Sequence, residues 1–349
     1  MSVEEERRAI DCLDEQILGL LNERAALARK ICEIRQHSFD PAREKQVLDR
    51  LVSLNAGPLP ADAVRAIYSL IIAEVRLLAR GITACYLGPQ GTFAHAAALK
   101  KFGPRADLTP ADSIPDIFDH VEAGKAQFGV VPVENSIEGV VSIALDRFME
   151  SNLQACSEIN LDIVHHLLSR SPLERVTRVY SMGQPLAQCH RWLRQNLPAA
   201  ERIEVASTAR AAQLAAAEPT SAAIASELAA DIHDLPVVCR SIQDSPFNRT
   251  RFLVLSAVSS PPGASDKTSL LFAVKHEPGA LHKALAAFSD HHVNLTLIQS
   301  RPTKKIPWEY VFFVDCQGHA FAPPLVQALK ALQDRCLFVK VLGSYPEAD

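Results

Sequence analysis

Asn248-Arg249-Thr250-Arg251-Phe252 stands between a turn-forming stretch, Asp244-Ser245-Pro246-Phe247, and the apolar run Leu253-Val254-Leu255. Short polar side chains at the mouth of a strand suit chemistry, because the strand fixes them while the turn leaves them accessible. Two other stretches share the pattern. Tyr86-Leu87-Gly88-Pro89-Gln90-Gly91-Thr92-Phe93 and Val131-Pro132-Val133-Glu134-Asn135-Ser136-Ile137-Glu138-Gly139 set polar residues directly after apolar strands. Hydroxyls, amides and guanidinium groups can bind a carboxylate or assist a departing oxygen. Each stretch alone also reads as a solvated turn before a strand; their recurrence favours a site. The chain offers neither a glycine-rich phosphate loop nor metal-ligand spacing, so no metal and no cofactor are expected. The pairs His165-His166 and His291-His292 are adjacent, so their rings point apart, and structural roles are expected for them.

A second group of candidates is cationic. Arg7, Arg24 and Arg35 fall on one long helical pattern, with Arg24 and Arg35 eleven residues apart and so on one face. Arg7 lies about 25 Å from Arg24 at the helical rise, too far for one small ligand to touch both. A ligand held by all three draws Arg7 from a second, antiparallel subunit; otherwise these are solvated surface arginines.

The elements that must position these residues follow three different grammars. From Val3 to Gln36, Ile10, Leu13, Ile17, Leu20, Leu21, Leu27, Ile31 and Ile34 recur at helical steps. Asp40-Pro41 breaks that pattern, and further helices are predicted over 42–54 and 62–80. Helices so unequal cannot bury the first one's stripe within one chain, so a homodimer or higher homo-oligomer is expected. From residue 83 to 258 short apolar strands alternate with helical patterns such as 185–196 and 208–217, which predicts an α/β sheet with room for two lobes and a cleft. Residues 259–267, rich in Ser and Pro, read as a linker. Residues 268–349 give the order βαββαβ, an α+β ferredoxin-like sandwich, so the chain is multidomain, with an all-α domain over residues 1–82.

Composition excludes several function classes. A chain of 349 residues, 48% apolar and with a net charge of −4, is globular and gives no electrostatic argument for nucleic acid or membrane. Its apolar runs stop well short of a membrane span, and its N-terminus lacks the order of a secretory signal. The eight cysteines form no C-x-x-C pair, which suits buried thiols in a cytoplasmic protein.

The three polar stretches, in this order, resemble the signature segments of prephenate dehydratases. The whole chain resembles the bifunctional chorismate mutase–prephenate dehydratases with a C-terminal ACT domain. The resemblance implies a two-lobed, periplasmic-binding-protein-like middle domain in which prephenate loses its ring hydroxyl and ring carboxylate to become phenylpyruvate. Aromatisation drives that step, and the protein must assist the hydroxide and leave one carboxylate poorly solvated. By the same resemblance Thr250 donates to the departing hydroxyl. Arg251 raises the local potential or pairs with a carboxylate, and Phe252 excludes water. Thr92, Asn135 and Ser136 hold a carboxylate, and Tyr180-Ser181-Met182-Gly183-Gln184-Pro185-Leu186-Ala187-Gln188 nominates Ser181 and Gln188. The family usually has His-Pro at Met182-Gly183 and often an acid at Ala206.

Over the first eighty residues, Arg7-x-x-Ile10-Asp11-x-x-Asp14, Glu23-Arg24 and Asp40-x-x-Arg43-Glu44 resemble the helical chorismate mutases. There arginines clamp a dicarboxylate, here Arg7, Arg24 and Arg43, with Asp40 and Glu44 near the hydroxyl of chorismate. Fixing a compact conformer and stabilising developing charge suffice for that rearrangement. Arg35 stands where the family's ether-contacting lysine is expected, and Val75 and Ala79 stand where it shows a serine and a glutamine. Glu277-Pro278-Gly279-Ala280-Leu281 and Gln299-Ser300-Arg301-Pro302 resemble the two ligand motifs of the ACT domain, where phenylalanine binds between subunits; Gln299 replaces the usual glutamate. Three readings follow: both activities with phenylalanine feedback, a dehydratase whose helical domain only dimerises, or a non-catalytic amino-acid-sensing binding protein.

Overall fold

Apolar side chains at helical steps give three helices at the start of the chain, α1 (Val3–Arg35), α2 (Pro41–Leu54) and α3 (Ala61–Ala79). A computed structural model describes residues 2–35, 39–79, 81–302 and 310–348. They divide into two units, Met1–Ile82 with Phe102–Asp107, and Thr83–Lys101 with Leu108–Asp349. In the first, Asp40 starts α2 by accepting the backbone N–H of Arg43 at 2.9 Å, and Pro41 occupies the helix start, where a missing N–H costs nothing. Both α1 and α2 pack on α3. The stripe of α1 stays outside: Ile10, Leu13, Ile17, Leu20, Leu27 and Ile31 are each more than half exposed. A helix of 33 residues outreaches partners of 14 and 19.

The chain continues with β1 (Thr83–Leu87), α4 (Phe93–Phe102), β2 (Asp107–Ala111), α5 (Ile114–Glu122), β3 (Phe128–Asn135), β4 (Gly139–Val140), α6 (Ser142–Glu150) and β5 (Gln154–Asp162). The chain then builds another lobe from β6 (His166–Leu168), β7 (Arg178–Ser181), α7 (Gly183–Gln188), α8 (His190–Asn196), β8 (Glu201–Glu204), α9 (Thr208–Ala217), β9 (Ser221–Ala225), α10 (Glu227–Ile232) and β10 (Val237–Cys239). It returns through β11 (Arg249–Ser256), which enters the first sheet between β3 and β5, antiparallel to both. The sheets run β2-β1-β3-β11-β5, with β4 on β3, and β10-β6-β9-β7-β8. Two crossings join the lobes, and they touch where the Ile163 N–H meets the Asn248 carbonyl at 2.8 Å. The single helix expected over 185–196 is broken at Cys189, because the Asp244 carboxylate accepts the N–H groups of Arg191 and Trp192 and starts α8 afresh.

The C-terminal elements are β12 (Asp266–Ala273), α11 (Ala280–Asp290), β13 (Leu295–Pro302), β14 (Tyr310–Gln317), α12 (Pro323–Arg335) and β15 (Phe338–Pro346), in sheet order β13-β14-β12-β15. This is the ferredoxin-like order. β12 begins at Asp266, inside the stretch expected as linker, whose Ser260 is buried with its carbonyl against the His319 ring. Rather than hanging free, the sandwich shares an apolar core with the first lobe, in which Leu253 and Leu255 join Leu271, Phe313 and Leu342. At Gly343 a Cβ would fall 2.0 Å from the Ala155 carbonyl oxygen, so β15 lies directly against the backbone of β5.

Candidate active site

Strand alternation sets the geometry of β11: Thr250 and Phe252 face one way and Arg251 the other. Thr250 pairs with Asn135 of β3, and both side chains, with Phe252, line a cavity of about 340 Å³ between the two lobes. The first lobe also supplies Thr92 and Phe93. The second supplies His165, Met182, Gln188, Ala206, Ser207 and Thr208. The size is that of an ordinary small-ligand pocket.

Asn135 is held on every side. Its carbonyl oxygen accepts the N–H groups of Ile137 and Glu138, both at 3.0 Å, and its amide donates to Asn248 Oδ1 and Thr250 Oγ1, both at 2.9 Å. The Thr250 oxygen is therefore an acceptor toward Asn135, which leaves its proton to be donated elsewhere. Asn248 passes the network on. Its amide donates to Gln188 Oε1 at 3.0 Å, and that oxygen also meets His165 Nε2 at 3.0 Å. An acceptor there assigns the proton of His165 to Nε2. Burial holds the His165 imidazole below its ordinary value; the bond to Gln188 opposes this and His166 adds to it. Gln188 finally donates to Glu138 Oε1 at 3.3 Å, so a polar chain crosses the cleft.

Among the described residues no arginine or lysine lines the cavity, and the acid in its wall is Asp112. Anions entering it would meet neutral donors and the starts of α4 and α9, the latter capped by Ser207. Positions 182 and 206, where the resemblance led us to expect a histidine and an acid, carry apolar side chains in the cavity wall, which lowers its polarity further. A carboxylate placed in such a site is weakly solvated, the condition under which loss of carbon dioxide is eased.

Of the other residues expected in the site, Thr92 lines the cavity, whereas Ser181, Ser136 and Arg251 are not in its wall. Ser181 is buried and donates to the Ile224 carbonyl at 2.8 Å. Ser136 ties β3 to β11 through the Phe247 carbonyl and the Arg249 N–H. The Thr92 hydroxyl lies against the carbonyls of Leu87 and Pro89. Arg251 turns its back on the cavity: Nε meets Glu158 at 2.8 Å, Nη1 meets Asp315 at 2.5 Å and Nη2 meets the Tyr345 hydroxyl at 2.8 Å. Burial alone would weaken this guanidinium, but Tyr345, Asp315 and Glu158 outweigh it and raise its pKa. Arg251 thus pairs with carboxylates of the protein, two of them fully or nearly buried. Reading by residue type missed His165 and Asn248, although Asn248 opens the very run that drew attention to Thr250.

In the helical unit Arg7 is exposed beside Glu4 at 3.6 Å, and Arg43 reaches Gln46 at 2.5 Å. Arg24 is half-buried on α1, while the side chains of Arg35 and Ala79 lie outside the described residues. Glu44 pairs with Arg76, a buried arginine of α3 that sequence reading overlooked and that also stands 5.0 Å from the Phe39 ring. Val75 is buried and offers no polar atom. In the C-terminal sandwich Ala273 and Arg301 both oppose Val311, so the turn after β12 and the end of β13 share one end of the sheet. Gly279 there has φ +80°, a left-handed conformation that glycine adopts freely, and starts α11; Ala280 is buried, while Gln299, Ser300 and Pro302 follow the edge strand.

Three family models match in order: chorismate mutase type II over residues 6–80, prephenate dehydratase over 84–260, and ACT domain over 268–334. The bifunctional chorismate mutase/prephenate dehydratase of Aquifex aeolicus is 48% identical over 99% of this chain and 98% of its own. The chain belongs to the bifunctional chorismate mutase/prephenate dehydratases. The solved prephenate dehydratase of Arthrobacter aurescens, in complex with L-Phe, is 33% identical with a TM-score of 0.71 over 77% of this chain and 91% of that one. A protein described as GqqA, a novel type of quorum quenching acylase, is 29% identical with a TM-score of 0.69 over 76% of this chain and 97% of its own. Among the described residues no cluster of acids, histidines and cysteines is arranged to hold a metal, and no helix is long and apolar enough to cross a membrane.

Proposed function

We propose that the cavity binds prephenate and that Thr250, keeping its own proton, donates a hydrogen bond to the departing hydroxyl. The ring carbon–oxygen bond breaks as the ring carboxylate leaves as carbon dioxide, and the electrons of that carbon–carbon bond complete the aromatic ring. Phenylpyruvate, carbon dioxide and hydroxide balance the prephenate dianion, and hydroxide takes a proton from solvent. The observation that carries this reading is the Asn135–Thr250 bond of 2.9 Å in a cavity with no arginine or lysine among the described residues of its wall. Asn135, Asn248, Gln188 and His165 act as a positioning network, and Phe252 excludes water.

Amide hydrolysis, the chemistry of an acylase, asks for a nucleophile paired with a base. Among the described residues no cavity hydroxyl bonds to a histidine ring, so the dehydratase reading is favoured. The helical unit carries the mutase activity of the family, with chorismate as substrate. Its exposed α1 stripe supports a homodimer in which Arg7 of one chain meets Arg24 and Arg43 of another. The motifs at Gly279–Leu281 and Gln299–Pro302 support phenylalanine as feedback ligand. Cys12, Cys85, Cys189, Cys239, Cys316 and Cys336 carry free thiols, which supports a reducing, cytoplasmic setting.

The test is turnover of prephenate and of chorismate with and without phenylalanine. Prephenate turnover that falls as phenylalanine rises is expected; a chain that leaves prephenate intact refutes the dehydratase reading.

A further inference from the structure

Helix α6 is gripped at both ends by the C-terminal sandwich. At its start, Arg301 Nη1 donates to Ser142 Oγ at 2.7 Å and Nη2 to both oxygens of Asp146, at 3.1 and 3.3 Å. At its end, Lys340 Nζ donates to the Phe148, Met149 and Ser151 carbonyls at 2.9, 3.3 and 2.5 Å, where a cation suits the helix terminus. Arg301 is a member of the Gln299–Pro302 stretch, so one residue belongs at once to the sensor motif and to the grip on the catalytic lobe.

What α6 does for the cavity follows from chain order. Two residues before Ser142 stands β4, whose Gly139 and Val140 pair with Asn135 and Glu134 of β3. The turn between them carries Glu138, which holds Gln188 across the cleft, and Asn135 sets the direction of the Thr250 hydroxyl. Between the sensor strand and the catalytic threonine there are thus a side-chain ion pair, a short helix, a two-residue strand and one amide. Movement of the α6 start has to move the turn over residues 136–141.

We propose that the Arg301–Asp146 ion pair is the contact through which occupancy of the sensor motif is transmitted to the cavity. The proposal rests on the reading of the cavity as the dehydratase site and of the motif as a phenylalanine site. Asp146 is not in the cavity wall and meets the sensor motif through Arg301, so the role assigned to it is coupling and not catalysis. Coupling of this kind is a ratio of affinities or activities between two states, and a factor of about five or more is typical where it operates. A packed helix shared by both sites is a physical carrier for it.

The experiment uses the full chain. Phenylalanine binding is measured by calorimetry and prephenate turnover is titrated with phenylalanine, for the wild type, Asp146→Asn and Asp146→Glu. For Asp146→Asn, turnover without phenylalanine is expected within about twofold of wild type and the binding midpoint within about threefold. Inhibition at saturating phenylalanine is expected to weaken by about fivefold or more. Asp146→Glu keeps the carboxylate and is expected to retain most of the inhibition. Inhibition unchanged in Asp146→Asn, or lost equally in both variants, overturns the assignment to this ion pair. A wild type that turns over prephenate but neither binds nor responds to phenylalanine overturns the sensor reading, and a wild type with no turnover overturns the dehydratase reading; the proposal falls with either.

Discussion

The helical unit and the strand-built unit differ in how much of their surface one chain covers. In the strand-built unit the cavity is lined from both lobes of one chain, and its amides, hydroxyls and imidazole find partners within that chain. In the helical unit Arg7 points into solvent and the α1 stripe lies exposed along the length of the helix. The physical cause is length. A sheet can be covered by helices of its own chain, whereas a 33-residue helix beside helices of 14 and 19 leaves apolar surface for which only another helix of similar reach is a match. One chain finishes a cleft between sheets; it leaves the long helical stripe uncovered, which is what supports the proposed homodimer.

The largest expected effect tests the self-sufficient half. Thr250→Val keeps the shape of the side chain and removes its proton. Loss of one donor to a leaving oxygen is expected to lower prephenate turnover by about 10²–10³-fold, with chorismate turnover unchanged. In oligomers mixed from wild-type and Thr250→Val chains, dehydratase activity should follow the wild-type fraction in proportion. Curvature in that plot would mean that a neighbouring chain contributes to the cavity, and the contrast between the units would fail.

The shared half is tested by complementation. Arg7→Ala and Arg24→Ala chains are each expected to lose mutase activity. Mixed in equal amounts, half the dimers are hybrids and each hybrid rebuilds one of two sites, so about a quarter of wild-type activity should return. If the mixture stays as inactive as its parts, both arginines serve one site in one chain.

The sequence was most legible where local pattern and final packing agree. The α1 stripe foretold both the helix and its lack of cover, and the βαββαβ order foretold the C-terminal sheet. Thr250 was legible because turn chemistry and an apolar strand bracket it. Arg251 shows the limit: strand alternation puts adjacent residues on opposite faces, but which face meets the cavity depends on what covers the other. That cover is Asp315 and Tyr345, far along the chain. For His165 the sequence offers a structural role, from its adjacent partner; its place in the cavity wall depends on the fold, which brings Gln188 to its Nε2. The break at Cys189 was hidden for the same reason, since Asp244 is more than fifty residues from the N–H groups it caps.

The smallest expected effect separates the units by acid. Burial is the leading cause that holds His95, His165, His166 and His233 below the ordinary value of 6.5, and all four belong to the strand-built unit. Below that pH the unfolded chain takes up protons that the folded lobes refuse, so stability is lost as pH falls from about 6.5 toward the folded values and is unaffected above it. The sequence carries its two tryptophans at positions 192 and 308, both beyond the helical residues 1–82, so tryptophan fluorescence follows unfolding of the strand-built part of the chain. The melting midpoint followed that way should drop between pH 7.5 and 5.5. His165→Gln keeps a donor toward Gln188 while removing the titrating ring, and should make that drop shallower. An identical slope in the variant would show that the His165 ring exchanges protons equally well folded and unfolded, and so is not sealed in the polar chain that joins the lobes.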